Sequence, residues 1–390
     1  MVAGVKIERI ATADAVSDLV EDARRAGICA IDTEFVWERT YAPVLCLVQL
    51  ATPDRLAVVD PVDGAPLEPV AELLADGAVG KVMHAPGADL TGFALHFGIA
   101  PRGVFDTQLA AGFAGYGGSL SLERMLDSSV KVSLRHSEGF TDWSKRPLTG
   151  TQVEYAADDV RHLLAAAAAL QERLRSQGRE NWAEEEMERR FGPQASLVQD
   201  PDTAWRRVAG RGKLRAAQLG ALVAAAAWRE REARRRDMPV SWLVRDATLV
   251  ELARRRPSTV DDALSVRGLQ LKRGRQLDEL LEVLASAGEG PPRETELSSD
   301  LRARVRAVLP LASAVLQAAC SEAGIASELV ATRDDLESLV VAVARGDADE
   351  HPLLQGWRRE LAGERLLRLL NGEVALRVVP GSPHVVAQGV

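Results

Sequence analysis

The chain has 390 residues, enough for two or three domains, and its 46% hydrophobic and 27% charged residues are an ordinary globular balance. The longest apolar runs, 163–170 and 219–228, are shorter than the roughly 20 residues of a membrane span, so we expect no membrane partner. Cys29, Cys46 and Cys320 match no zinc, redox or disulfide pattern, and the start of the chain lacks a signal-peptide pattern, which together predict a cytoplasmic protein.

The charge is unevenly distributed along the chain. The net charge of −8 argues at first against a nucleic-acid partner. Residues 205–275, however, contain 18 Lys and Arg against 7 Asp and Glu, a net of +11, which leaves −19 for the rest. Such a division indicates that the basic block holds a polyanion while the acidic part holds cations. A solvated, Arg-rich helical surface explains the charge equally well.

The first half of the chain alternates between strand and helix patterns. The predicted elements are a helix at 12–26, strands at 28–35, 44–51 and 55–60, a helix at 66–76, a strand at 81–84, helices at 89–96, 106–113 and 120–126, an irregular segment at 131–147, and a long helix from Thr149 to about Gln171. Three early strands followed by alternating strand and helix predict an α/β domain with a mixed sheet.

The second half is predicted to be helical. Four or five helices occupy 213–286, a Gly- and Pro-rich linker begins at Gly288, and helices return over 299–371 before a single strand at 374–379. We therefore expect three domains, at 1–198, 208–288 and 298–390. The two helical blocks can be distant copies of one unit, but the sequence alone does not establish it.

Acidic residues stand out in three places. Asp32 and Glu34 lie two apart at the end of an apolar strand, so both side chains project from the same face. Asp89 begins a helix, where an Asp is most often a routine cap. Tyr155 and Asp159 lie four apart and share one helical face. Asp158 competes with Asp159, since the two side chains are about 100° apart around the helix and cannot both face one site.

Together these residues resemble the three motifs of the DEDD exonuclease superfamily, in its tyrosine branch. The flanking sequences resemble ribonuclease D in order and spacing over nearly all of residues 1–175, and the matching segments are 31–35, 46–50, 82–85, 105–108, 141–148 and 154–160. Residues 222–269 resemble the HRDC module of RecQ-type helicases and ribonuclease D, and 299–375 resemble the C-terminal helical domain of ribonuclease D. The resemblance implies a ribonuclease H-like α/β domain followed by one or two all-α HRDC-like domains.

The resemblance also implies the chemistry. Asp32, Glu34, Asp89 and Asp159 would hold two divalent ions, Mg²⁺ or Mn²⁺, which activate a water and stabilise the departing 3′ oxygen. Tyr155 would orient the water, because a tyrosine is a poor base at neutral pH. The expected reaction releases nucleoside 5′-monophosphates from the single-stranded 3′ end of an RNA, and the family implies transfer-RNA precursors as substrates.

Four further residues are candidates for substrate contacts. Phe35 can stack on a terminal base or belong to the core. Gln49 and His84 can line the site, although a single His on a strand is more often structural. His136 stands where ribonuclease D sequences commonly carry a Lys, so a substrate contact there is either altered or tolerant of change.

Three other functions remain to be weighed. A proofreading DNA exonuclease shares this chemistry, but such domains usually accompany a polymerase, and nothing after residue 200 supplies one. An inactive exonuclease fold acting as an RNA-binding scaffold typically loses one or more acids, and all are present here. A helicase needs a Gly-x₄-Gly-Lys-Ser/Thr phosphate loop, which does not occur, so we expect no nucleotide cofactor.

Overall fold

The computed structural model describes residues 5–134, 141–290, 298–378 and 385–389. Six strands form one sheet in the first half of the chain, in the spatial order β1-β4-β3-β2-β5-β6. Their bounds are Ile7–Ile10 (β1), Ile28–Val36 (β2), Val44–Ala51 (β3), Leu56–Val59 (β4), Gly80–Met83 (β5) and Val104–Asp106 (β6). β3 is antiparallel to both of its neighbours, and all other pairs are parallel. The predicted mixed sheet is therefore confirmed.

Eight helices surround this sheet. They are Ala13–Ala26 (α1), Glu68–Ala75 (α2), Gly87–Phe97 (α3), Thr107–Phe113 (α4), Leu122–Val130 (α5), Gly150–Arg161 (α6), Leu163–Ser176 (α7) and Glu180–Phe191 (α8). α6 packs across β2, β3 and β4. Its start is fixed by a capping box, in which Thr149 and Gln152 satisfy each other's backbone N–H groups. α6 is therefore held in register over the middle of the sheet.

Several details differ from the predicted elements: β6 and α8 were not predicted, and three further differences have physical reasons. β1 was not predicted, because four residues are too few to show a period and its parallel partner β4 lies far along the chain. The long helix predicted from Thr149 is two helices, since the backbone at His162 (φ −109°, ψ −3°) leaves the α-helical range. The helix predicted from Asp106 begins one residue later, because Asp106 ends β6 and caps α4.

The basic block folds around a hydrophobic core of its own. Two short 3₁₀ turns, Pro201–Arg207 and Arg211–Lys213, precede the helices Ala216–Arg235 (α9), Val240–Leu243 (α10), Asp246–Arg255 (α11), Val260–Leu264 (α12) and Arg275–Ser286 (α13). Leu222, Leu249 and Leu280 are among its fully buried residues. The five helices confirm the predicted helical character of 213–286.

The last helices share the core of the sheet domain. They are Ser299–Ala323 (α14), Ser327–Val330 (α15), Arg333–Arg345 (α16), Gly356–Arg358 (α17) and Glu364–Leu370 (α18), with a 3₁₀ turn at Pro352–Leu354 and a π-helical turn at Arg359–Gly363. Trp357 is buried against Phe113 of α4, with ring centroids 4.8 Å apart, and stacks on Trp182 of α8. A closing hairpin pairs Val374–Val378 (β7) with Val385–Gly389 (β8), of which only the first strand was predicted.

One described helix, α14, is long and apolar enough by length and composition to cross a membrane. The apolar runs considered in the sequence did not include it. Val305, Leu309 and Leu316 are buried, and the helix packs against α16 and α18. This placement is that of a core helix, which passes the same test, so the helix is weak evidence for a membrane.

Candidate active site

Two carboxylates lie near the end of β2, in the middle of the sheet. Asp32 and Glu34 follow the part of β2 that pairs in parallel with β5, so they lie at the edge where both strands end. The pairing of β2 with β3 shifts register between Glu34 and Phe35. Such an irregularity bends the strand and re-aims its side chains, and it occurs often beside active sites.

Asp89 reaches the same edge from α3, the helix that follows β5. Its side chain is only 7% exposed and accepts a hydrogen bond from Thr33 Oγ1, which lies between the two acids of β2. The loop before α3 is fixed by Asp106, whose Oδ1 accepts the N–H of Ala85 at 2.9 Å. This bond holds Ala85 in the left-handed region (φ 52°), a conformation that a non-glycine residue rarely adopts.

α6 supplies the remaining two candidates. Tyr155 lies on the helix face that packs against the sheet, with its ring 6.0 Å from that of the buried Trp143. Asp158 is held by Arg161, whose Nε donates to its Oδ1 at 2.7 Å. Asp159 raises the pKa of Asp32, Glu34 and Tyr155, so its charge is the one directed at them. The choice between the two aspartates, which spacing alone left open, therefore favours Asp159.

The carboxylates destabilise one another's charged forms. Burial, and then the charges of Asp89, Asp159 and Glu34, raise the pKa of Asp32 well above its usual value. Burial and the charges of Asp159 and Asp89 raise the pKa of Glu34 to about 8. The pKa of Asp159 rises to about 7 through burial and the neighbouring Asp158, and burial also raises that of Asp89. The four acids thus lie within electrostatic reach of one another.

The same charges act on Tyr155. Burial first, and then Asp159, Glu34 and Asp32, raise the pKa of its hydroxyl above the ordinary value of a tyrosine. The hydroxyl therefore stays protonated at any physiological pH and is suited to hydrogen bonding rather than to acting as a base.

The donor set fits a hard divalent cation. Within the described part of the chain, none of the four acids forms an ion pair with Lys or Arg, and no three His, Cys, Asp or Glu side chains are arranged to hold a metal ion as they stand. Gln49 pairs directly with Asp32 across the sheet, is fully buried, and has no hydrogen-bond partner for either side-chain atom. Repelling carboxylates beside an unsatisfied amide match the oxygen ligands and waters that Mg²⁺ and Mn²⁺ prefer.

The other residues named from the sequence have different surroundings. Phe35 is half-buried, and its ring lies 6.2 Å from that of Trp37 in an edge-to-face contact. Both ring nitrogens of His84 are used inside the protein, by Thr107 Oγ1 at 2.9 Å and Leu120 O at 3.1 Å. Burial lowers the pKa of His84 to about 4, so it is neutral. His136 lies outside the described residues.

Sequence reasoning missed two residues that position the acids. Thr33 was passed over because it lies on the opposite side of the strand pattern from Asp32 and Glu34, yet it binds Asp89. Asp106 was assigned to a helix, although an Asp followed by Thr-Gln at a helix start is a capping signal. That signal would have identified the cap but not its bond to Ala85, which spans 21 residues.

Comparison with known proteins connects these features. A 3′-5′ exonuclease family model matches residues 7–175, and an HRDC domain model matches 218–284. Ribonuclease D of Gluconacetobacter diazotrophicus is 39% identical over 376 residues, 95% of this chain and 94% of that protein. Ribonuclease D of Granulibacter bethesdensis is also 39% identical, over 91% of this chain and 90% of that protein. The crystal structure of Escherichia coli RNase D is 32% identical, with a TM-score of 0.80, covering 94% of this chain and 99% of that one.

The sheet domain matches the 3′-5′ exonuclease family model, so the first half of the chain is a 3′–5′ exonuclease. The chemistry of this class depends on divalent metal ions. The helical block that follows is an HRDC domain. Because full-length relatives reach 39% identity over nine tenths of both sequences, the chain belongs to the ribonuclease D family and is a 3′–5′ exoribonuclease.

Proposed function

We propose that the chain removes nucleoside 5′-monophosphates one at a time from the 3′ end of RNA, using Asp32, Glu34, Asp89 and Asp159 to hold two divalent cations, Mg²⁺ or Mn²⁺. The observation that carries this proposal is the convergence of four carboxylates at one edge of the sheet, Asp89 buried and the other three partly buried, with no Lys or Arg partner among the described residues. The pKa of each is raised. Cations at this position would stabilise the charged forms that burial disfavours, and would offset the repulsion that further raises the pKa values of Asp32 and Glu34.

Bound divalent cations supply a nucleophilic hydroxide at neutral pH and neutralise charge on the leaving oxygen. The chain's own residues do the rest. Asp32 and Glu34 present their carboxylates from a rigid strand, and Thr33 fixes Asp89 against them. Tyr155, neutral and half-buried on α6, orients the attacking water through its hydroxyl. Trp143 packs on the Tyr155 ring and keeps that hydroxyl in place.

Of the residues near the acids, Phe35 is suited to hold the last nucleotide. Its exposed part, one residue after Glu34, offers a surface for a terminal base, and stacking tolerates any base identity. The amide of Gln49 has no protein partner but is fully buried beside Asp32, so it is placed to bond to an enclosed water rather than to the substrate. His84 lacks a free ring nitrogen, which argues against a direct contact, and His136 remains a candidate from the sequence alone.

The substrate we propose is a structured RNA, such as a transfer-RNA precursor, with a single-stranded 3′ tail, processed in the cytoplasm. The similar Escherichia coli enzyme is described as an exoribonuclease involved in structured RNA processing. The basic residues of 205–275 would contact phosphates, making binding sensitive to salt. Buried, unpaired Cys29, Cys46 and Cys320 are compatible with a reducing compartment. The division into 1–198, 208–288 and 298–390 remains part of this proposal.

The test is a cleavage assay on a 5′-labelled RNA with a single-stranded 3′ tail, in Mg²⁺, Mn²⁺ or EDTA. The expected result is a ladder shortening from the 3′ end that requires metal and disappears in Asp32→Ala. Asp158→Asn is the matched control, since Asp158 is held by Arg161 and its loss should leave the ladder intact. A full-length protein that binds RNA but shortens it with neither metal would instead favour an inactive RNA-binding scaffold.

A further inference from the structure

A cleft of about 620 Å³ lies between the sheet domain and the HRDC block. The segment after β2 lines one side with Trp37, Thr40 and Tyr41, and α9 and α10 line the other with Arg229 and Trp242. Trp37 is 47% exposed and Trp242 is 52% exposed, both among the most exposed large hydrophobic residues described. Two exposed tryptophan side chains that line one cleft indicate a flat, aromatic ligand.

Two buried polar atoms on the walls of this cleft lack partners. Arg229 is 5% exposed, and its Nη1 donates to Val244 O at 2.9 Å and Asp246 Oδ1 at 2.8 Å, while its Nε has no partner. The hydroxyl of Thr40 is likewise buried and unpartnered. Buried polar atoms almost always form hydrogen bonds, so either side chain would gain one by turning its unpartnered group towards a polar ligand in the cleft.

Two aromatic rings in contact lie on the segment that joins the acids to the cleft. Phe35 directly follows Glu34, and its ring meets that of Trp37 edge to face at 6.2 Å. The Trp37 indole is fixed by its Nε1, which donates to Tyr41 O at 2.9 Å. Tyr41 is pinned to the HRDC block, because its N–H donates to Asp237 Oδ1 at 3.0 Å and its hydroxyl to Glu230 at 2.5 Å. These bonds tie the segment of Trp37 and Tyr41 to the HRDC block.

The cleft shares one lining residue, Trp242, with a basic cavity. Trp242 also lines a second cavity, of about 430 Å³, together with Arg236, Lys272, Arg273 and Arg275. Arg273 and Arg275 form ion pairs with Asp261 and Glu279 at exposed positions. Exposed ion pairs contribute little to stability, so a phosphate can take the place of these carboxylates.

We propose that the two cavities form one track for single-stranded RNA upstream of the 3′ end, in which bases stack on Trp37 and Trp242 and backbone phosphates bind Arg236, Lys272 and Arg273. The inference rests on the proposed function, because it places the terminal nucleotide at the acids beside Phe35. An aromatic surface, polar edge groups and a basic cavity in sequence match the base and phosphate of successive nucleotides. An apolar peptide would match only the aromatic surface of the track, and an acidic peptide would match only its basic cavity.

Substrate length tests this track. A dinucleotide reaches only the acid site, whereas a 12-nucleotide single strand extends into the cleft, so the informative quantity is the ratio of kcat/KM for the longer RNA to that for the dinucleotide. Trp242→Ala and Trp37→Ala are each expected to lower this ratio about 10-fold, the loss of one stacked base. Trp242→Phe should restore most of it, because phenylalanine still stacks. Leu311→Ala removes an equally exposed side chain (46%) from α14 and should leave the ratio unchanged.

Binding separates failure of the track from failure of the catalytic proposal. In full-length Asp32→Asn, the 12-nucleotide RNA should quench tryptophan fluorescence, and adding Trp242→Ala should weaken its Kd about 10-fold. If the parent chain cleaves neither substrate but this loss occurs, the catalytic proposal fails and the track stands. An unchanged length ratio and Kd in both alanine variants, or an equal loss on both substrate lengths, would overturn the track.

Discussion

Two groups of acidic residues in this molecule, one fully buried and one partly buried, differ in what balances their charge. Glu186 of α8 is fully buried where the sheet domain meets the C-terminal helices, and it accepts hydrogen bonds from Arg189, Arg190 and Arg358 at 2.6–2.8 Å. Burial by itself raises its pKa, but the hydrogen bonds from Arg189 and Arg358 and the charge of Arg358 outweigh burial and lower the pKa to about 2.

The four acids near β2 receive no such compensation. Burial raises the pKa of each, and their mutual charges raise those of Asp32 and Glu34 further. The difference separates a structural joint from the site that we propose binds metal. Where the chain supplies the positive charge, the acid fastens two parts of the fold, and where it does not, the proposed cations would supply that charge.

The largest effect is expected from replacing one of the four acids that have no Lys or Arg partner among the described residues. Asp32→Asn should lower kcat by about 1,000-fold, since metal ions contribute several kcal/mol to the transition state and each 1.36 kcal/mol is tenfold. The metal-free variant should also melt at a higher temperature than the parent chain, because one repelling charge is gone. Cleavage kinetics and calorimetry in EDTA measure both effects. A lower melting temperature would show that Asp32 stabilises the fold instead.

Replacing Glu186, whose charge is balanced by arginines, should reduce stability and leave the cleavage rate nearly unchanged. Glu186→Gln leaves Arg358 buried without its carboxylate, so we expect a loss of about 3 kcal/mol in the free energy of unfolding. Cleavage by the folded protein should remain within a few fold of the parent rate, because Glu186 lies outside the acid site. Arg190→Gln removes a more exposed partner and should cost under about 1 kcal/mol. Equal losses in the free energy of unfolding in the two variants would contradict the view that Glu186 and Arg358 join two parts of the fold.

Tyr155→Phe tests the role of a neutral hydroxyl that lies among the four acids. Loss of the hydroxyl should lower kcat by roughly 100-fold, in the range of a positioned proton-handling group, with KM nearly unchanged. Mn²⁺ binding should persist, since the four carboxylates are intact. A rise in KM with unchanged kcat would assign the hydroxyl to substrate binding rather than to the water.

The smallest expected effect is on acid stability. Because the folded-state pKa of Glu186 is about 2, below that of the unfolded chain, its contribution is present above about pH 4.5 and is lost as the pH falls towards 2. Urea unfolding between pH 5 and 3 should therefore show a smaller pH dependence in Glu186→Gln than in the parent chain. The same slope in both proteins would exclude Glu186 as its source.

Sequence patterns identified the candidate acids but not the contacts around them. A two-residue strand period placed Asp32 and Glu34 on one face, and a four-residue spacing placed Tyr155 with an aspartate. Spacing alone left Asp158 open beside Asp159. The resemblance to the exonuclease motif selected Asp159, and the contact of Asp158 with Arg161 agrees with that choice. The joint between Glu186 and Arg358 spans 172 residues, and no local period reports a pairing over that distance.

Counting the cations bound per chain tests the proposed metal site most directly. Metal-free full-length protein can be titrated with Mn²⁺ while free Mn²⁺ is followed by electron paramagnetic resonance. We expect about two ions per chain, as in two-metal nucleases, reduced occupancy in Asp159→Asn, and unchanged binding in Asp158→Asn. Equal binding in all three proteins, or none in any, would contradict the claim that the uncompensated acids form the metal site.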